Sequence, residues 1–312
     1  MSNQIATRVA YGNALERLGE ANKDIVVLDA DLSGSTKTAT FCKKNPDRHF
    51  NCGIAEQNML GIAAGLATSG KIPFASTFAV FGAGRAFEII RNSICYPELN
   101  VKIAVTHSGL TVGEDGATHQ SIEDVAIMRS LPNIVVLCPA DGIETKKMID
   151  EAAKYVGPVY IRLGRPNLPV LFDEDYEFKI GKSVKLQDGN DVTIISMGIM
   201  VAEALKAAEE LNREGISARV INMSTIKPID EEAVIQAAKE TGAIVTAEEH
   251  SIIGGLGSAV ADVLVKHALA PLEMVGVKDT FGESGKPGEL LEKYGLTAKD
   301  IVNAARKATK RK

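Results

Sequence analysis

The stretch Val101-Lys102-Ile103-Ala104-Val105-Thr106-His107-Ser108, continued by Gly113-Glu114-Asp115-Gly116-Ala117-Thr118-His119-Gln120, decides how the chain is read. Its first five residues read as a buried strand. The polar groups begin where that strand ends: two imidazoles, two carboxylates, a carboxamide and several hydroxyls, set around three glycines. In an open α/β sheet, ligands bind outside the carboxyl ends of the strands, and loops there carry function. A merely structural loop needs the glycines but not this density of hydrogen-bonding side chains, which suits the hydroxyls of a sugar.

Outward from this point, short β-branched runs alternate with helical patterns. The runs are Ile25–Leu28, Pro73–Ser76, Ile134–Leu137 and Val159–Arg162; the helical patterns span 8–19, 56–69, 85–95, 122–129 and 143–155. Continuous apolar runs mean strands covered on both faces, as in a mostly parallel sheet. The pattern breaks at Arg165–Gly189, a proline-bearing and acidic crossing segment read as a linker. A second alternation follows, with strands at 192–196, 218–222, 243–247 and 272–277. Its first helix lines Val201, Ala204, Leu205, Ala208 and Leu211 along one face, and Asp230 is a candidate N-cap. The expectation is two consecutive α/β domains, each a mostly parallel sheet covered by helices: residues 1–165, a linker at 166–190, and residues 191–312.

The bulk numbers exclude several classes. A chain of 312 residues with 45% apolar and 24% charged residues has the balance of a soluble protein of about two domains. Its net charge of −5 and lack of tryptophan argue against nucleic acid as a partner. The one basic cluster, Lys307–Lys312, reads as a frayed, solvated terminus. Cys42, Cys52, Cys95 and Cys138 show no Cys-x-x-Cys spacing and fit free thiols in a reducing compartment. There is no secretory h-region at the start and no run of membrane-spanning length, so the expected location is cytoplasmic.

Further clusters fall at strand ends of the first half. Glu56 opens a helix, and alone it is what a helix dipole favours in a first turn. Phe78 and Phe81, three apart, would by themselves suit core packing. Asp31 and Ser35 lie in a hydroxyl-rich loop after the first strand. Arg162 and Arg165 close the last strand and Arg8 starts the first helix; guanidinium forks suit phosphate when they are not simply solvated. In the second half, Glu248-Glu249-His250 reads as a solvated strand edge and Gly254–Gly257 as a tight turn.

Taken together, Cys52-Gly-Ile-Ala-Glu56, Ser76-Thr-Phe-Ala-Val-Phe81, Thr106-His107 with Gly113–Gln120, Arg162–Arg165 and Glu248–Gly257 resemble the C-terminal half of a transketolase over essentially the whole chain. That half comprises a pyrimidine-binding domain of a thiamine-diphosphate enzyme and the transketolase C-terminal domain. The resemblance implies a catalytic role for Glu56, hydrogen-bonded to N1′ of the cofactor's aminopyrimidine so that a proton can leave thiazolium C2. It implies stacking of Phe81 and Phe78 on the pyrimidine ring and a lesser cofactor role for Asp31. His107, Asp115 and His119 resemble residues that bind ketose hydroxyls; Arg8, Ser35 and Arg165 match positions that grip the sugar phosphate.

Two departures are local: Ala55-Glu56-Gln57 stands where Arg-Glu-His is expected, and Gly84 replaces an aromatic residue. A third is larger. The Gly-Asp-Gly with a downstream Asn that holds the diphosphate and its metal appears nowhere in the sequence. A metal bridging two phosphates needs oxygen ligands, so a divalent ion, Mg or Ca, is expected on a partner polypeptide, and no metal ligands are assigned here. The resemblance therefore implies the C-terminal catalytic subunit of a split transketolase, paired with an N-terminal subunit as a dimer of heterodimers. It would move a two-carbon ketol unit between sugar phosphates of the pentose phosphate pathway. The alternatives are a subunit of a deoxyxylulose-phosphate synthase-like or 2-oxo acid dehydrogenase-like enzyme, which the pairs Glu114-Asp115 and His119-Gln120 disfavour, or a non-catalytic, partner-stabilising subunit.

Overall fold

The computed structural model describes residues 4–312. It contains a seven-stranded sheet, a five-stranded sheet and a two-stranded ribbon. The seven-stranded sheet runs in the order Thr225–Lys227, Val135–Leu137, Val159–Arg162, Lys102–Val105, Ile72–Ser76, Ile25–Asp29, His49–Asn51. All its pairings are parallel except that of Thr225–Lys227. Its inner strands are buried on both faces, which is why they read as nearly unbroken apolar runs, whereas the edge strand His49–Asn51 is largely exposed. Lys102 is the exception: its ammonium donates to the carbonyls of Tyr155 and Gly157 at 2.7 and 2.8 Å. Burial pulls that ammonium down to about 7.

The five-stranded sheet runs Leu272–Val277, Ile244–Ser251, Val192–Ser196, Ala218–Asn222, Val184–Gln187, the last strand antiparallel. The expected fold class, two α/β domains with mostly parallel sheets, is what the chain adopts.

The two halves share more than a linker. Thr225–Lys227 from the second half pairs with Val135–Leu137 of the first sheet. One hydrophobic cluster runs from Val26, Leu28 and Ile103 through to Ile195, Ile221 and Val260. Within the crossing segment, Asn167–Pro169 pairs with Gln4–Ala6, and Val184–Gln187 supplies an edge strand to the second sheet. Short edge strands with few apolar residues leave little periodicity to read.

The basic end of the chain is not frayed. The helix Ala298–Thr309 buries Ile301, Val302, Ala305 and Ala308 and begins with a Thr297–Asp300 capping box. Lys307 and Arg311 both pair with Glu273. The expected frayed terminus is thus corrected, because its apolar face packs, while its cations are solvated as expected and two of them meet one carboxylate. Among the described residues, no helix is long and apolar enough to cross a membrane. The four cysteines are unbridged, Cys95 and Cys138 being buried.

Candidate active site

In the seven-stranded sheet, consecutive strands proceed outward in both directions from Ile25–Asp29 and Ile72–Ser76, which pair with each other. Such a reversal opens a crevice at the carboxyl ends of the strands. The segments carrying the candidate residues leave from those ends: Asp31 to Ser35, Asn51 to Glu56, Phe78 to Arg85, Thr106 to Gln120 and Arg162 to Arg165.

Glu56 begins the helix Glu56–Thr68 and is 1% exposed. Gly53, with φ of 69°, turns the chain into that helix. Next to it, Val80–Arg85 winds as a wide π-type turn, a form that recurs at functional sites. The turn puts Phe81 and Arg85 on one face. The Arg85 guanidinium lies 4.7 Å from the Phe81 ring centre and donates to Glu56 Oε2 at 2.7 Å. Gln57, at the departure from the expected pattern, donates to the Arg85 carbonyl at 3.1 Å. Arg85 was given no role in the sequence, where it only opens the helical pattern 85–95; in the structure it closes the π-type turn instead.

Phe78, Phe81, His107 and His119 form one wall. Phe78 and Phe81 stack with centres 6.0 Å apart, Phe78 and His107 stack at 3.9 Å, and His119 meets Phe81 edge-on at 5.4 Å. His107 has φ of 57°, a left-handed conformation that costs a non-glycine residue energy and is typical of functional positions. Its Nε2 faces Arg8 Nη1 at 3.4 Å, and its Nδ1 lies 2.8 Å from Thr106 Oγ1. Arginine can only donate, so Nε2 accepts and the proton of the neutral ring sits on Nδ1. Burial, with Arg8 and Arg165 nearby, pushes the imidazole down to about 3, so at neutral pH it is an uncharged hydrogen-bonding group.

A guanidinium edge adjoins this wall. The ribbon Gln4–Ala6/Asn167–Pro169 and a 2.8 Å bond from the Gly164 amide to Thr7 Oγ1 bring Arg8 and Arg165 into one neighbourhood. Burial and the Arg165 charge both lower the pKa of Arg8. Arg8 Nη1 donates to the Ser35 carbonyl at 3.0 Å, while its buried Nε has no partner among the described residues. An unpaired buried donor beside a second cation suits an anion. Arg165 donates to the Val112 carbonyl and lies 3.4 Å from Glu114 and 4.0 Å from Asp115. Ser35 is thus joined through its main chain, and Asp115 faces Arg165. Asp31 is tied to Asn51 by two reciprocal 3.0 Å bonds.

The second domain buttresses the substrate-side loop. Ser284 Oγ donates to the Glu114 carbonyl at 2.7 Å, Gln120 Nε2 to the Glu283 carbonyl at 2.9 Å, and the Thr111 amide to Glu249 Oε1 at 2.6 Å. Two readings of the sequence are corrected here. Arg162 is no phosphate ligand: it is buried, its Nε 2.9 Å from Asp124, and it donates to the carbonyls of Ser121 and Glu249. Glu248-Glu249-His250 is no solvated edge, because the strand runs under the first domain and all three side chains are buried. Burial lifts Glu248 to about 7 and Glu249 to about 6, and drops His250 to about 4. The turn Gly254–Gly257 receives the Glu248 carboxylate, which accepts from the amides of Leu256 and Gly257 at 2.7 and 2.8 Å. That helix N-terminus therefore serves an internal anion.

The residues fit the pyrimidine half of thiamine diphosphate: a buried carboxylate beside an aromatic face, both already contacted by the flat guanidinium of Arg85. Among the described residues, no cluster of three or more His, Cys, Asp or Glu side chains could hold a metal ion.

Comparison with known proteins agrees with this geometry. The transketolase pyrimidine binding domain family matches residues 3–170, and the transketolase C-terminal domain family matches residues 181–301. The chain belongs to the transketolase family. A putative transketolase C-terminal section from Methanocaldococcus jannaschii is 54% identical, the alignment covering 95% of this chain and 93% of that protein. The 6-deoxy-6-sulfo-D-fructose transketolase subunit SqwH of a Clostridium species is 47% identical over 98% of this chain and 95% of its own. Human transketolase is 40% identical, and the alignment spans 98% of this chain but 49% of that protein. A solved structure described as a split gene transketolase, inactive beta4 tetramer, is 61% identical with a TM-score of 0.93, covering 98% of this chain and 99% of its own.

Proposed function

We propose that the chain is the C-terminal catalytic subunit of a two-chain transketolase, transferring a two-carbon ketol unit from a ketose phosphate to an aldose phosphate. The observation that carries this is the convergence of Glu56, the Phe78–Phe81–His107–His119 wall and the Arg8–Arg165 edge on one crevice. Thiamine diphosphate, when bound, supplies the nucleophilic carbon that carries the ketol unit. Glu56 holds a proton at N1′ of its pyrimidine. Phe81 and Phe78 wall the ring, and Asp31 borders it. The neutral His107, His119 and Asp115 bind and orient the donor's hydroxyls, while Arg8 and Arg165, steadied by Ser35, anchor its terminal phosphate. A relative named for a sulfofructose and another for apulose 4-phosphate support an anionic ketose as the donor class, since a guanidinium fork accepts sulfonate as well as phosphate.

The partner reading is supported by relatives of nearly equal length that are called a section or a subunit. In it, an N-terminal chain with Gly-Asp-Gly and a following Asn holds the diphosphate and a magnesium or calcium ion, the assembly is a dimer of heterodimers, and the enzyme works in the cytoplasm. Reconstitution tests it. This chain mixed with such a partner, thiamine diphosphate and magnesium should transfer ketol units from a pentulose phosphate, and this chain alone should not. Turnover by the single chain would overturn the two-chain reading.

A further inference from the structure

The Arg85 side chain is half exposed, yet it reaches inward to two groups at once: its guanidinium covers the Phe81 ring at 4.7 Å and donates to Glu56 Oε2 at 2.7 Å. These are the two contacts a bound aminopyrimidine would need, an aromatic face and the Glu56 carboxylate. A guanidinium is planar, stacks on aromatic rings and presents N–H groups in its own plane, so it satisfies both as a flat nitrogen heterocycle would. Its side chain is 48% exposed, so solvent on its outer side leaves it room to swing. The half-exposed guanidinium makes one cation–π contact and one ion pair whose carboxylate is buried, so it is released only to a group that satisfies Glu56 in its place. The hold keeps the slot filled and yields to such a group.

We propose that Arg85 is a built-in placeholder: without cofactor its guanidinium occupies the pyrimidine slot and shields the buried Glu56 charge, and it must swing out before thiamine diphosphate can seat. This rests on the two-chain reading above. When the binding-competent state is a minority, apparent affinity falls by the competent fraction, so the placeholder weakens cofactor binding and stabilises the empty chain.

The test is calorimetric titration of thiamine diphosphate, with magnesium, into the reconstituted two-chain enzyme, using wild type, Arg85→Ala and Arg85→Lys. With a slot closed most of the time, Arg85→Ala should bind about tenfold tighter, and Arg85→Lys, which keeps charge but loses the planar fork, should fall between. Without cofactor, Arg85→Ala should melt lower than wild type and gain more on adding it. Equal or weaker binding by Arg85→Ala would overturn the placeholder, weaker binding marking Arg85 as a cofactor ligand. If neither wild type nor variant binds in the presence of the partner, the two-chain reading itself fails, and the placeholder with it.

Discussion

The Gly164 amide donates to the hydroxyl of Thr7 at 2.8 Å, across 157 residues of sequence. The residue after each of them is an arginine, so this one bond, with the ribbon Gln4–Ala6/Asn167–Pro169, sets Arg8 and Arg165 together at the crevice. Neither guanidinium is fully neutralised there: the buried Nε of Arg8 has no partner among the described residues, and Arg165 meets its carboxylates only at 3.4 and 4.0 Å.

Arg165→Ala should therefore discriminate between donors. Losing charge-assisted hydrogen bonds worth roughly 1.5–3 kcal/mol lowers kcat/KM for a phosphorylated ketose about 10- to 150-fold, mostly as raised KM. Hydroxypyruvate, which has no phosphate, should be nearly indifferent. Equal losses for both donors, with a lower melting temperature, would mean that Arg165 only packs against Val112.

Arg162 should behave in the opposite way. It is shut between the domains against Asp124, which also accepts from Tyr160 at 2.8 Å. Burial disfavours its charge, and the Asp124 carboxylate more than restores it. Arg162→Met strands a buried carboxylate and should cost about 3–5 kcal/mol, read as a lower denaturant midpoint. Arg165→Ala should leave that midpoint nearly unchanged. A wild-type midpoint for Arg162→Met would contradict the buried pair.

These two arginines show what the sequence could and could not tell. Parallel strands covered on both faces write themselves as apolar runs, and the loops after them as clusters of polar side chains. So the sheet class, and the polar loop that carries His107 and His119, were legible; Phe78 and Phe81 by themselves read as core, and their meeting with the two histidines on one wall was not. Exposure was not, because Arg162-Leu-Gly-Arg165 looks alike at both ends. Whether a guanidinium is sealed or open depends on Asp124 and Glu249, distant in sequence. The burial of Glu248–His250 was hidden for the same reason: a charged strand end reads as solvated until a second domain covers it. Arg85, read as the start of a helix, closes a π-type turn instead, and that winding leaves no mark in the hydrophobic pattern.

His107 gives a pH signature. Its folded pKa, about 3, lies below the ordinary histidine value of 6.5, so the unfolded chain takes up a proton as pH falls through 6.5 and the folded chain does not until about 3. Stability is therefore lost on acidification across that window, by at most about 1.4 kcal/mol per pH unit. His107→Asn, which tolerates a positive φ, removes this loss. The variant should match wild type more closely at pH 7 than at pH 5, where it should be relatively more stable. Parallel melting curves from pH 7 to 4 would contradict a buried neutral imidazole.

The most direct test concerns Glu56 itself. Glu56→Gln preserves size and the start of the helix but removes the group proposed to hold the proton at N1′. In the reconstituted enzyme with cofactor bound, exchange of the thiazolium C2 proton with deuterated water and steady-state ketol transfer should be measured on the same sample. Positioned proton transfer is worth typically about 10²–10⁴-fold, so both rates should fall together by that order while the melting temperature of the empty chain moves little. Exchange at the wild-type rate in Glu56→Gln would contradict the account, leaving Glu56 as no more than a carboxylate at the start of a helix.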